Sequence, residues 1–211
     1  MIKGLKSLFL RPKTSAQLSM FRPIAERGDV FNDDLPTGYE YAVGIKAQER
    51  DGWLSLLKES GEFLKGGTWT DELLREFVLE ALLPKGAALV LDSTSQVVAC
   101  SSVCSKKPPK ADLMYFLVHA NHRRRGLGRA MLRRGLNVCA TNGISSLHLL
   151  TDQHRFAAIK LYLQQGFIPD VRYSRDASFR WVGVLQSVLG SPSEVIDFPT
   201  AEHIGSRKQR R

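Results

Sequence analysis

The order of helix-like and strand-like segments predicts an α/β fold. Three observations carry this expectation. Leu73, Leu74, Phe77, Val78, Ala81 and Leu82 recur at three- and four-residue intervals, the period of a helix with one buried face. Ala87–Leu91 and Val97–Cys104 flank the polar run Asp92-Ser93-Thr94-Ser95-Gln96, the pattern of a β-hairpin. In the stretch Asp112–Arg134, an apolar β-rich run (Leu113–Val118) passes through a short basic turn (His119–Arg125) into a helix opened by Gly126-Leu127-Gly128.

The remaining elements fall in order around these. Residues 1–36 begin with Lys3, Lys6, Arg11, Lys13 and Arg22 and carry no acid before Glu26. They are expected to form a loosely ordered basic extension; the weakly amphipathic start also suits an anionic membrane surface or an organelle-targeting peptide. The folded domain is expected over 37–190. Tyr39–Ile45 reads as its first strand, and Gln48–Glu59 as a helix with Trp53, Leu54, Leu56 and Leu57 on its apolar side. Thr70, followed by Asp71 and Glu72, is an N-cap signal, and the helix it opens should run through Leu83 to a stop at Pro84. Trp69, after Gly66-Gly67-Thr68, suits either a substrate wall or a packed core.

Beyond the glycine turn, Leu127, Met131, Leu132, Leu136 and Cys139 form a buried stripe, with Arg129, Arg133 and Asn137 on the solvent side. Asn142-Gly143 ends that helix. Ser146–Thr151 reads as a strand, Asp152–Gln165 as a helix closed by Gly166, and Phe167–Tyr173 with Phe179–Leu185 as a final strand pair. Residues 191–211 lose periodicity and end in a basic tail.

The chain has 211 residues, 43% hydrophobic and 24% charged, with a net charge of +9. That composition is of a soluble globular protein, and the charge points to an anionic ligand or surface. Nucleic acid ranks behind a phosphorylated small molecule, because the arginines cluster at the glycine turn and in the tail, and no nucleic-acid-reading motif accompanies them. No apolar run approaches the roughly 20 residues of a membrane span. Cys100, Cys104 and Cys139 contain no C-x-x-C pair and read as small buried hydrophobes in a reducing, cytoplasmic setting. His119 and His122 have no third ligand near them in sequence, so no metal is expected.

A strand that runs through glycines into a helix leaves several N–H groups unpaired where the helix dipole is positive, which suits a phosphate. Arg123, Arg124, Arg125 and Arg129 add charge there. A Walker loop would need Gly-Lys-Ser/Thr, which follows no strand here, and a dinucleotide fingerprint would need Gly where Met131 stands. What remains is Arg123-x-x-Gly126-x-Gly128 after a strand ending at Val118.

This spacing resembles the pyrophosphate loop (Q/R-x-x-G-x-G/A) of the Gcn5-related N-acetyltransferases. One strand and one helix downstream, Ala157-Ala158-Ile159-Lys160-Leu161-Tyr162-Leu163-Gln164-Gln165-Gly166-Phe167 is similar to that family's A-x-x-L-Y-x-x-x-G-F stretch. The order β-α-α-β-β-β-α-β-α-β-β over Tyr39–Leu185 also matches. The resemblance implies a mixed central sheet of about six to seven strands with flanking helices, parting between the strand ending at Val118 and its successor. It implies acetyl transfer from acetyl-CoA to a primary amine of a small molecule or protein, by direct attack in a ternary complex. A looser similarity to the mycothiol synthase branch does not name the acceptor. A non-catalytic module that binds acyl-CoA or a partner through the same scaffold is the alternative, and a homodimer remains open.

By resemblance, the coenzyme contacts are the backbone groups of Leu117 and Val118 along the pantetheine arm and Arg123, Arg124, Arg125, Gly126, Leu127, Gly128 and Arg129 around the diphosphate. Tyr162 matches the general acid to the departing sulfur, and Asp112 the position of a general-base glutamate. The Val118 N–H is the expected oxyanion donor. Strand alternation would put Asp112, Met114, Phe116 and Val118 on one face, with Asp112 roughly 13 Å from Phe116, so a water would carry the proton. Arg155 stands where the family often has a coenzyme-holding asparagine, and is expected to reach a phosphate or an acidic substrate.

Overall fold

The computed structural model describes residues 17–24, 30–60 and 69–189; residues 1–16, 25–29, 61–68 and 190–211 lie outside them. The described chain runs β1 (Gln17–Pro23), β2 (Tyr39–Tyr41), α1 (Ala47–Ser60), α2 (Asp71–Phe77), β3 (Leu82–Asp92), β4 (Val97–Lys107), β5 (Lys110–Val118), α3 (Leu127–Thr141), β6 (Ser146–Asp152), α4 (Phe156–Gln164), β7 (Ile168–Pro169) and α5 (Ala177–Leu189). The strands form one seven-stranded sheet in the order β2-β3-β4-β5-β6-β1-β7. Its pairs are antiparallel except β5–β6. This is the mixed α/β sheet anticipated above.

The helices follow their apolar stripes. On α3, Leu127, Met131, Leu132, Leu136 and Cys139 are all buried, and α1 buries Trp53, Leu54, Leu56 and Leu57. Cores lie on both faces of the sheet. Leu132 and Leu136 of α3, Ile159 and Tyr162 of α4 and Trp181 of α5 pack on one face with Leu18, Met20, Leu113, Leu147 and Leu149. On the other face, Trp53 and Leu57 meet Trp69, Leu74, Leu89 and Leu117. Trp69 is thus a packed core residue, edge-on to Tyr115 at 4.9 Å.

Five expectations are corrected. Residues 1–36 are not all an extension: Gln17–Pro23 is an internal strand, paired along β6 from Gln17↔Asp152 to Pro23↔Ser146. Its alternation of buried Leu18 and Met20 is short and flanked by basic residues, which concealed it. Residues 31–33 also cover the α3 face expected to meet solvent. Asn137 Nδ2 donates to Phe31 O at 2.8 Å and Asn137 Oδ1 accepts from Phe31 N at 2.9 Å, while Arg133 NH1 donates to Asn32 O at 3.2 Å.

The helix begun at Thr70 ends at Phe77, not Leu83. Thr70 does cap it, its hydroxyl accepting from Leu73 N at 3.3 Å. A 3-10 turn, Leu79–Ala81, then leads into β3. Leu82 pairs with Cys104, and Pro84 falls where the β3–β4 register shifts between Leu82 and Ala87, a position in a sheet where a residue without an N–H is tolerated. The first predicted strand likewise shortens to Tyr39–Tyr41.

The final strand pair is a two-residue strand and a helix. In α5 the buried residues are Ala177, Trp181, Val184 and Leu185, spaced by four, three and one, which is helical periodicity. Phe179, which would have belonged to a buried strand, is 82% exposed.

Candidate active site

The site begins where β5 and β6 separate. Their parallel pairing consists of Lys110↔Ser146, Ala111↔Leu147 and Asp112↔His148; beyond Asp112 the two strands part, leaving a wedge toward the carboxy end of β5. On its other edge β5 stays paired to β4 as far as Ala99↔Val118, and His119 N donates to Val98 O at 2.9 Å. Antiparallel ladders alternate bonded and non-bonded pairs, so the N–H and C=O of Val118 point away from β4 into the wedge, and those of Leu117 point toward Cys100. Val118, not Leu117, therefore presents its main chain there. The Leu117 side chain is buried on the α1–α2 face of the sheet.

A bulge alters the faces of β5. The register slips between Cys100↔Leu117 and Ser102↔Met114, and Tyr115 sits at φ 51°, where L-residues with a Cβ are rare. Cys100 Sγ donates to Tyr115 O at 3.3 Å and Ser102 Oγ to Met114 O at 3.1 Å, so β4 side chains satisfy the displaced carbonyls. As a result Met114, Tyr115 and Leu117 face α1 and α2, whereas Phe116 and Val118 face α3. The expectation that Asp112, Met114, Phe116 and Val118 share a face is thus wrong, because one inserted residue inverts the alternation.

Gly126 caps α3 in the left-handed conformation, φ 91°, and has no side chain to cap with. The first intrahelical bond is Ala130 N to Gly126 O at 3.1 Å, so the N–H groups of Leu127, Gly128 and Arg129 open the helix without an intrahelical acceptor. A Cβ on Gly128 would meet Leu161 Cδ2 at 3.2 Å and Phe116 Cζ at 3.6 Å. The absent side chain is what lets the start of α3, the end of β5 and α4 converge. Leu127 itself is buried and anchors the turn.

The basic loop is braced by groups that the sequence did not single out. Arg123 Nε donates to Val118 O at 3.1 Å. Arg125 donates to Tyr39 Oη at 3.0 Å and to Asn121 O at 3.2 Å, and Tyr39 Oη lies 3.0 Å from His122 Nδ1. His119 accepts from Asn121 N at 3.3 Å and lies 3.8 Å from Glu59 Oε2. Arg124, at φ 60°, and Arg129 are exposed. Among the described residues no group of three or more His, Cys, Asp or Glu side chains is placed to hold a metal.

Tyr162 comes from α4, its ring buried edge-on against Phe116 at 5.9 Å and tilted on Phe167 at 5.8 Å. Arg155, at the start of α4, pairs through Nε with Asp152 at 3.2 Å. Asp112 stands at the closed end of the wedge, on the last paired rung, away from Tyr162. Desolvation raises its pKa, opposed by the charges of His148 and Lys106, although the residue as a whole stays exposed. The assembled site can take an anion at the start of α3 and offer the Val118 N–H to an extended amide chain, with the Val118 carbonyl already bonded to Arg123.

Comparison with known proteins agrees with this geometry. Residues 51–167 match the model of the acetyltransferase (GNAT) family. "N-acetyltransferase family 8 member 3" of Rattus norvegicus is 35% identical over 83 residues, 37% of this chain and 36% of that protein. The mycothiol acetyltransferase of Frankia casuarinae is 25% identical over 181 residues, 80% of this chain and 52% of that protein. The chain thus spans about half or less of the length of these curated relatives. Among solved structures, a GCN5-related N-acetyltransferase from Sphaerobacter thermophilus superposes with a TM-score of 0.60 at 17% identity, covering 73% of this chain and 48% of that one. Ard1 from Thermoplasma volcanium gives 0.51 at 19% identity, covering 67% and 93%; at such identities both show the fold alone. With the family model matching more than half of its length, the chain belongs to the Gcn5-related N-acetyltransferase (GNAT) family of acyl-transferring proteins.

Proposed function

We propose that the protein is an N-acetyltransferase that moves the acetyl group of acetyl-CoA to a primary amine of a small molecule or protein by direct attack in a ternary complex. The observation that carries the reading is the uncapped start of α3: three amides and the close approach at Gly128 lie beside the parted strands, and the Tyr162 ring packs on Phe116 at the end of β5. These residues fit the coenzyme. The N–H groups of Leu127, Gly128 and Arg129 would hold its diphosphate, with Arg123, Arg124 and Arg125 supplying charge, and the Val118 edge would pair with pantetheine amides. Arg155, paired with Asp152 through Nε, would join them through its terminal nitrogens.

When bound, acetyl-CoA supplies an activated acyl carbon. The chain's own groups supply the rest. The Val118 N–H is aimed to stabilise negative charge on the carbonyl oxygen, and the Tyr162 hydroxyl is the proton source for the departing sulfur. Asp112, raised in pKa, takes the amine proton through water. The acetyltransferase names of the relatives support this reaction type. Incubating the protein with acetyl-CoA and a panel of primary amines, and following release of free thiol, tests it. Amine-dependent thiol release is expected; coenzyme binding without release for any amine would favour a non-catalytic role.

A further inference from the structure

The side chains on the Asp112 rung form a second site element that no family motif includes. Leu147 and Leu149 of β6 point into the core beneath α3, α4 and α5, so His148 between them projects from the opposite face, where its partner Asp112 also lies. The His148 ring is fixed on both sides. It stacks on Phe21 of β1, with centroids 5.7 Å apart and planes at 22°, and its Nε2 lies 3.0 Å from Ser146 Oγ. Phe21 is the Cα partner of His148 in the β1–β6 ladder, so the strand missed in the sequence builds one wall of this element. Among the described residues no ion pair within 4.0 Å joins Asp112 to His148. The two groups share the last rung before the wedge.

We propose that His148 and Asp112 together are the proton-accepting pair for the acceptor amine, which approaches from the face of the sheet opposite α3 and α4. This rests on the acetyl-transfer reading above. In the tautomer whose Nε2–H donates to Ser146 Oγ, Nδ1 keeps its lone pair and can take a proton, directly or through one water; the stack on Phe21 holds the ring in place. The arriving ammonium gives one proton to the pair, and the freed lone pair forms the C–N bond to the thioester carbon. The C–S bond breaks, the sulfur takes the Tyr162 proton, and the second proton of the nitrogen, lost as the amide forms, passes through water to restore the Tyr162 hydroxyl. The imidazolium that remains is stabilised by the Asp112 carboxylate and discharges to solvent.

The charged groups around the pair set its pH response. Burial lowers the pKa of His148, while Asp112 and Asp170 raise it and Lys110 lowers it; Lys106 acts on Asp112. On balance the pKa of His148 is lowered, chiefly by burial, which favours the neutral ring that can accept a proton.

The test is the pH dependence of kcat/KM for the amine in the full chain, for wild type, His148→Gln and Ser146→Ala, with acetyl-CoA affinity and thermal unfolding measured beside it. Loss of an acid–base group lowers a rate by about 10²- to 10⁴-fold. His148→Gln is expected to lower kcat/KM at least tenfold near neutral pH and to remove or displace the acid limb, with acetyl-CoA affinity unchanged. Ser146→Ala leaves the ring and its stack in place and is expected to shift the same limb; should His148→Gln not fold, this variant decides. An unchanged limb and less than a twofold loss in the decisive variant would overturn the pair's role while leaving acetyl transfer standing. Absence of transfer by wild type with every amine would instead remove the parent reading and the pair with it.

Discussion

The rings of Phe116 and Tyr162 meet nearly edge to face, 5.9 Å between centroids, and this contact ties the end of β5 to α4 across the parted strands. The ring of Tyr162 is therefore structural, and the role proposed for it rests on the hydroxyl alone. In Tyr162→Phe the ring contact survives and the proton source is lost. We expect kcat to fall by about 10²-fold or more with coenzyme affinity changed less than threefold. Steady-state kinetics with titration calorimetry separates this from a packing defect, which would weaken both.

Tyr39 links the edge strand β2 to the basic loop, receiving a hydrogen bond from Arg125 at 3.0 Å and facing His122 Nδ1 at the same distance. Tyr39→Phe removes both contacts. A neutral hydrogen bond contributes about 1 kcal/mol, so acetyl-CoA affinity is expected to weaken roughly fivefold with kcat at saturation little changed. An affinity equal to wild type in equilibrium titration would mean the loop does not depend on this brace.

Met20 is fully buried in β1, opposite Leu149 in the ladder. If Gln17–Pro23 is an integral strand, Met20→Ala should cost about 2–5 kcal/mol in urea unfolding. A change below about 0.5 kcal/mol would place these residues outside the core.

The helical assignment of α5 has its own signature. Trp181 is fully buried and Phe179 is 82% exposed, two residues apart, as a helix allows and a strand with one buried face does not. Trp181→Ala is expected to destabilise by about 3–5 kcal/mol, and Phe179→Ser by less than about 0.5 kcal/mol. Equal effects would argue for a strand.

The three thiols supply a pH check. Burial pushes Cys100 up to about 12, Cys104 to about 11 and Cys139 to about 12. A group that stays protonated is not a nucleophile, so none should react with a thiol reagent at pH 8 until the protein unfolds. Rapid labelling of native protein would contradict their burial.

What the sequence made legible was what has a strong local cause. The α3 stripe, the Thr70 cap and the Asp92–Gln96 hairpin turn each depend on residues within a few positions, and all appear. The glycine turn was readable because Gly126 needs a positive φ and Gly128 a close approach, both of which exclude other residues. The misses depend on distant partners. Gln17–Pro23 is a strand because β6 stands beside it, and Leu82 leaves the helical pattern because Cys104 pairs with it. The bulge at Tyr115 has no signature of its own, since Cys100 and Ser102 satisfy its carbonyls from another strand. His148 was passed over for the same reason: its significance comes from Phe21, Ser146 and Asp112 arriving from three strands, and one strand position alone does not show that.

The central claim is that the main-chain amides at the start of α3 hold the diphosphate of acetyl-CoA. It is tested most directly by calorimetric titration of acetyl-CoA into wild type and Gly128→Val, with unfolding temperature as a control. Because a Cβ at position 128 already falls 3.2 Å from Leu161 Cδ2, the valine should close the seat. We expect one-to-one binding to wild type and at least a tenfold loss in a variant that remains folded; no binding to wild type, or equal binding to both, would contradict it.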